Sequence, residues 1–162
     1  MAKKTVYLET SVISYLAARP SPALVTAAHQ QVTRDWWEHR RSTFETFISP
    51  LVIDEASKGD ELAIKARLIK MAEIPVLEFT EAARDLIDKL VAEKAIPAKA
   101  IDDAGHVAIA ATHNVDYLLT WNCRHLDNAE VKPQIRSVCA KYGYICPEIC
   151  TPEELMGVNE HE

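Results

Sequence analysis

Glycine is scarce in this sequence, and its four glycines, Gly59, Gly105, Gly143 and Gly157, each stand alone. No glycine-rich loop is therefore present to cradle a phosphate, which disfavours the nucleotide-binding classes built on one. The G-x-S-x-G turn of serine hydrolases is missing too. No window approaches the run of about 18 uncharged apolar residues that a membrane span needs. The start, Met1-Ala2-Lys3-Lys4, carries two lysines, but Glu9 interrupts the apolar stretch that follows. That pattern is no secretory signal, and the expected location is the cytoplasm.

Cysteine pairs at metal-binding spacing are absent as well. Cys123, Cys139, Cys146 and Cys150 all fall in the last quarter of the chain, and none forms a C-x-x-C. A disulfide framework serves small domains that lack a core. Reduced, partly buried thiols are the expectation, since a zinc site with His125 or His161 has no supporting spacing. Basic excess is also lacking: 18 Lys and Arg face 24 Asp and Glu, a formal net charge of -6. This weakens any reading as a passive DNA-binding protein. It weighs less against a metal-dependent nuclease, because a bound divalent ion reverses the local sign and attracts phosphate.

What the chain does have is 162 residues, 48% of them apolar, enough to bury an ordinary core. Residues 5–8 form a β-prone run ending in Glu9-Thr10-Ser11, and residues 12–18 read as a helix stopped near Pro20 and Pro22. A helix over residues 23–43, a strand over 44–49 and a helix opened by Pro50 follow. Residues 61–72 read as a helix, 74–79 as a strand around Pro75, and 81–94 as a helix capped by Thr80. Residues 101–113 suit a buried helix, with Asp102 or Asp103 as its cap. Residues 117–120 suit a strand, 132–141 a helix, 144–149 a last strand, and Thr151-Pro152-Glu153-Glu154 a capped helix start. Strands alternating with helices predict one α/β domain over residues 1–162, a mostly parallel sheet of about five strands covered on both faces.

In such sheets ligands bind beyond the carboxyl ends of the strands. Glu9 ends the first strand, Glu55 follows the second, Asp102 and Asp103 open the helix before the fourth, and Thr120 and Asn122 end the fourth. Each has an ordinary structural role: acids suit helix N-termini, Glu55 suits a solvated helix face, and Asn122 suits a turn. Their coincidence at one sheet edge is what points to chemistry. Clustered carboxylates repel one another unless a cation intervenes. Oxygen ligands of this kind suit Mg²⁺ or Mn²⁺, ions that orient water and a phosphodiester for displacement. A phosphotransferase with an aspartyl nucleophile is less suited, because the first strand ends in E-T-S rather than D-x-D. His106 and His113, seven residues apart on an Ala-rich segment, read as core or partner-facing groups.

Four stretches resemble the PIN domain family, in particular its VapC-type ribonuclease toxins. V-Y-L-E-T-S-V-I-S-Y-L, residues 6–16, looks like the family's opening strand, acid, hydroxyl pair and helix. S-P-L-V-I-D-E-A-S-K-G-D, residues 49–60, is similar to the second-acid segment, with Glu55 at the acid. D-D-A-G-H-V-A-I-A-A-T-H-N-V-D-Y-L-L-T-W-N, residues 102–122, looks like the third-acid helix and following strand, with Asp103 in the acidic position. T-P-E-E-L, residues 151–155, also recurs in such relatives. The resemblance implies a five-stranded parallel sheet between helices, with Glu9, Glu55 and Asp103 ligating one or two Mg²⁺ or Mn²⁺ ions. It implies RNA hydrolysis by a metal-activated water, with Thr120 steadying the site and Thr10 or Ser11 bonding a ligand carboxylate. A cognate antitoxin is the implied partner. Trp36 and Trp37, near Tyr15 and Leu16, offer either a homodimer face or core packing.

Two positions depart from the family pattern. Glu9 stands where Asp is usual, one methylene longer, and Asn122 supplies a neutral oxygen where Asp is frequent. The second change removes a charge that would help hold a second ion. The departures keep open a rival reading, a catalytically weak or inactive PIN-fold module acting through protein or RNA contacts.

Overall fold

Residues 2–158 are described by a computed structural model, so His161 lies outside the described residues. The first strand, β1 (Lys4–Leu8), is central, and its last three residues are fully buried. Burial on both faces is the condition that makes a strand read as continuous apolar sequence rather than alternation. Glu9 is the N-cap of α1 (Thr10–Ala17), which stops at Ala18 ahead of Pro20. α2 (Leu24–His39) leads through a 3₁₀ turn, Arg41–Thr43, to β2 (Phe44–Phe47). Ser49 caps α3 (Pro50–Ala56), with Pro50 in the first turn where its missing N–H costs nothing. α4 (Glu61–Met71) is capped by Asp60, and α5 (Glu81–Ala92) by Thr80. The apolar α6 (Ile101–Thr112) leads to β3 (Tyr117–Leu119), and α7 (Lys132–Lys141) leads to β4 (Glu148–Cys150).

The sheet is parallel throughout, in the order β2-β1-β3-β4. β1 thus connects outward to β2 on one side, while the chain returns to β3 on the other. Right-handed crossovers then place α1 and α2 on one face and α5, α6 and α7 on the opposite one. Between β1 and β3 the direction of winding reverses, which opens a crevice at their carboxyl ends. The ladder continues one residue past both strands: Glu9 N donates to Leu119 O at 3.0 Å, and Thr120 N to Cys150 O at 2.9 Å. These main-chain bonds set Glu9 and Thr120 side by side at that crevice.

The fifth strand expected over residues 74–79 is reduced to a single bridge between Ile48 and Val76. Ile48 N donates to Pro75 O, and Leu77 N to Ile48 O. Pro75 has no N–H to extend the ladder, so this edge stops after one exchange and the sheet has four strands. The last strand begins at Glu148 rather than Tyr144 because the end of α7 takes the preceding residues. Tyr144 N bonds back to Cys139 O, and Gly143 adopts φ +86°, the left-handed closure that terminates a helix. Only a 3₁₀ turn, Glu153–Leu155, follows Thr151. α2 ends four residues earlier than expected, where Thr43 Oγ1 donates to Arg40 O and tightens the turn.

The cap of α6 is Ala100, and Asp102 and Asp103 fall in its first turn rather than at its cap. Trp36 is sealed in the core against the Phe44 ring, 6.0 Å between centroids, and Leu16 is buried too. A dimer face built on Trp36 is thereby removed. All four cysteines are free thiols. No helix among the described residues is long and apolar enough to cross a membrane.

Candidate metal centre

Glu9 is only 5% exposed, and three donors hold its carboxylate. Ser11 N donates to Oε2 at 3.1 Å, Ser11 Oγ to Oε1 at 2.5 Å, and Thr120 Oγ1 to Oε1 at 2.6 Å. The same side chain therefore caps α1 and forms part of the cluster. Ser11 Oγ also accepts from Trp121 N at 2.8 Å, which ties the segment after β3 to the start of α1. Trp121 in turn stacks on His29 with centroids 4.1 Å apart and donates its indole N–H to Thr33 Oγ1. α1 and α2 thus brace the loop that carries Asn122.

Glu55, on α3, reaches the same crevice from the other side. Its Oε1 accepts from Thr10 Oγ1 at 2.9 Å and lies 2.5 Å from His106 Nε2. His106 is completely buried, and its other nitrogen, Nδ1, sits 2.6 Å from Tyr7 Oη. Tyr7 Oη is 2.7 Å from Ser49 Oγ, so a polar chain runs from Ser49 through the core to the cluster. Burial opposes the charge on Glu55, but the His106 hydrogen bond and charge outweigh it, and the carboxyl is held below its usual range. Burial likewise opposes a charge on His106, yet the Glu55 hydrogen bond and the charges of Glu9, Glu55 and Asp103 raise it above 6.5. Burial pushes the Tyr7 phenol far upward, so it is a permanent neutral hydroxyl.

Asp103 approaches from the first turn of α6, one helical turn before His106 on the same face. Its Oδ2 is 3.1 Å from His125 Nδ1. Burial lifts its carboxyl above 3.8; the Asn122 side chain, His106 and His125 offset this only in part, and the Glu9 charge adds to it. Asn122 Oδ1 accepts from the main-chain N–H groups of Arg124 and His125, which folds the loop after β3 into a turn beside Asp103.

Glu9, Glu55 and His106 each offer a ligand atom, all within 4.8 Å of one another. Two carboxylate oxygens and an imidazole nitrogen at that spacing fit a divalent cation, with Asp103 at the rim. Of the other expected residues, Thr10, Ser11 and Thr120 bond Glu55 or Glu9 directly. Asp102 is exposed and lines an outer groove with Phe79, Arg84 and Gly105, making no bond to the cluster. His113 donates to Glu78 O and takes no part.

His106 is the residue that sequence reading passed over. It is indeed a core residue by burial, but its ring edge enters the crevice. The signal was its i, i+3 relation to Asp103, which puts both on one helix face. Gly105 is the enabling neighbour: a Cβ there would collide with the Leu51 side chain. Without one, α6 and α3 approach closely enough for His106 to meet Glu55.

The family model described as PIN domain matches residues 6–130. No curated protein matches the chain. Among solved structures, the chain is similar to VapC20 of Mycobacterium tuberculosis, a sarcin-ricin loop cleaving toxin. That match has 12% identity and a TM-score of 0.56, covering 86% of this chain and 96% of the other. VapBC-1 of nontypeable Haemophilus influenzae matches at 14% identity and a TM-score of 0.56, over 92% and 98% of the two chains. VapBC2 of Rickettsia felis, bound to a promoter DNA fragment, matches at 18% identity and 0.54, over 74% and 89%. At these identities the likeness is one of fold.

Proposed function

Because the chain belongs to the PIN domain family, we propose that residues 1–162 act as one metal-dependent endoribonuclease unit that hydrolyses RNA phosphodiester bonds in the cytoplasm. The observation that carries this reading is the convergence of Glu9, Glu55 and His106 donor atoms within 4.8 Å at the winding reversal of the sheet. Glu9, Glu55 and Asp103 would hold Mg²⁺ or Mn²⁺. When bound, such an ion supplies Lewis-acid polarisation of a phosphoryl oxygen and acidifies water.

The chain's own groups do the positioning. Ser11 and Thr120 pin Glu9 through three hydrogen bonds, so it does not swing out to meet an ion, and an ion would take the acceptor capacity they leave free. Thr10 and His106 fix Glu55 in the same way. His125 and Asn122 hold Asp103 from the solvent side. Asn122 donates but brings no charge, which favours a single ion over two. The uncompensated negative charge of the cluster repels a phosphate until that ion neutralises it, which makes RNA binding metal-dependent as well.

The structural neighbours include VapBC complexes, and a toxin role with a cognate antitoxin belongs to this reading, as does a homodimer. The test is cleavage of a labelled single-stranded RNA. We expect cuts in Mn²⁺ or Mg²⁺, none in excess chelator, and loss of roughly 100-fold or more in Glu55→Gln and Asp103→Asn. Metal binding without cleavage of any RNA offered would favour the inactive binding module.

A further inference from the structure

We propose that the half-buried rings of Tyr15, His29 and Trp121 form a platform on which one unpaired RNA base stacks, fixing which position of the strand lies over the metal cluster. The inference rests on the ribonuclease reading above and deepens it, because it names the substrate class as single-stranded or looped RNA rather than duplex.

Short bonds join the platform to the cluster. Trp121 follows Thr120, and its main-chain N–H donates to Ser11 Oγ at 2.8 Å, the hydroxyl that itself donates to Glu9 Oε1 at 2.5 Å. Tyr15 lies one helical turn beyond Ser11 on the same face of α1. The Trp121 indole packs against the core and donates to Thr33 Oγ1 at 2.8 Å, so its plane is fixed. His29 lies on that plane, 12° from parallel, with centroids 4.1 Å apart. Tyr15 flanks both rings at 6.2 Å, tilted 34° to His29 and 41° to Trp121. All three keep part of their surface open to solvent. Gln30, buried next to His29, accepts from Ser21 N at 2.9 Å and donates to Arg19 O at 3.2 Å, which ties α2 to the end of α1.

Charge selects the occupant. The chain carries 24 Asp and Glu, yet residues 10–34, which span α1, the loop after it and most of α2, contain none. The same stretch holds Arg19 and Arg34, and Arg124 stands exposed on the loop after Trp121. A phosphate backbone is repelled by the acidic remainder of the surface but not along this wall. Aromatic rings beside an acid-free path suit a single strand, whose bases stack on the rings while the backbone follows the neutral to basic surface. A duplex cannot use the platform, because its bases are already stacked on one another. Rings locked before binding also lose little freedom when a base arrives.

The test is stopped-flow fluorescence of uridine oligomers carrying one 2-aminopurine, placed at each position in turn. They are mixed with the full chain and Mg²⁺ and read before cleavage proceeds. Stacking on the rings quenches the probe, so quenching is expected at one position above all. An end-labelled duplex of the same sequence should bind roughly tenfold more weakly by anisotropy. His29→Ala and Tyr15→Ala should each weaken single-strand binding roughly tenfold, and His29→Phe should restore it by keeping a ring face. Mg²⁺ affinity by calorimetry should be unchanged in all three variants, which a mere bracing role would not give. Equal affinity for strand and duplex overturns the platform, as does quenching that His29→Ala and Tyr15→Ala leave intact. Cleavage of the oligomer without quenching at any position overturns it too and leaves the ribonuclease reading standing; quenching without cleavage of any RNA does the reverse. The comparison of strand with duplex uses the native chain, so a misfolded variant does not spare the proposal.

Discussion

Two carboxylates of one cluster are held in opposite states of comfort. Glu55 is paired with a fully buried imidazole and a threonine hydroxyl, and its charge is stabilised. Asp103, one helical turn from that imidazole, is half-buried with donors too few to offset its desolvation and the field of Glu9. On the α3 side of the crevice the carboxylate is already paired, while Asp103 on the α6 N-terminal side lacks a full counter-charge. Under the proposed metal-dependent reading, a cation would find its largest electrostatic relief at Asp103 and its geometry in the groups around Glu55 and Glu9. Environments that push neighbouring acids apart commonly mark functional positions.

The contrast is broken most strongly at Glu55. Glu55→Gln removes the partner of a buried imidazole, and we expect the metal-free protein to lose roughly 2–3 kcal/mol in urea unfolding with chelator present. Glu55 is held below its ordinary value of 4.5, so its contribution is present above that pH and lost as pH falls through the lower folded-state value. His106 has the opposite sign: raised above 6.5, its share is full below that pH and is lost as pH rises through its folded-state value. Stability without metal should therefore decline on both sides of a window bounded by these two groups.

A second way to break it is mechanical. Gly105→Ala places a methyl against Leu51, which must yield or force α3 and α6 apart. A cost of about 1–3 kcal/mol in unfolding is expected, with weaker Mn²⁺ binding by calorimetry because Glu55 and His106 separate. The contrast is sharpened at Asp103. Its carboxyl is raised above 3.8, so the ionised form costs stability at neutral pH, and that cost vanishes below 3.8 where both states are protonated. Asp103→Asn should stabilise the metal-free protein by about 0.5–1 kcal/mol near pH 7, a gain that fades on acidification. Equal signs for Glu55→Gln and Asp103→Asn would erase the distinction. The smallest effect is expected at Asn122. Asn122→Asp keeps the oxygen that accepts from Arg124 and His125 and adds a charge, so divalent affinity should rise a few-fold by calorimetry, on the order of 1 kcal/mol or less.

Much of this was legible in the residues. The strand-then-acid pattern at Leu8-Glu9 and the proline-opened helix carrying Glu55 report local chemistry, and the structure places both where that chemistry predicts. The Thr80 cap and the stripe of Leu86, Ile87 and Leu90 on α5 read directly as well. The fifth strand was overread: Pro75 stands in plain view within residues 74–79, and its missing N–H limits that edge to a single bridge despite the β-prone composition. His106 was hidden for a different reason. An apolar helix with one histidine reads as core, which is true of its burial. What composition cannot give is the approach of α3, set by Leu51 lying over Gly105. Trp36 shows the converse, a residue whose place, core or surface, depended on Phe44 packing across from it.

The central claim is that Glu9, Glu55 and Asp103 serve one ion. Crystals soaked in Mn²⁺ and measured at an energy where manganese scatters anomalously test it directly. The account predicts an anomalous peak bounded by these three side chains, within bonding distance of Glu9 and Glu55 oxygens. A strong peak elsewhere, or none beside these carboxylates in crystals where the crevice is open to solvent, would contradict it.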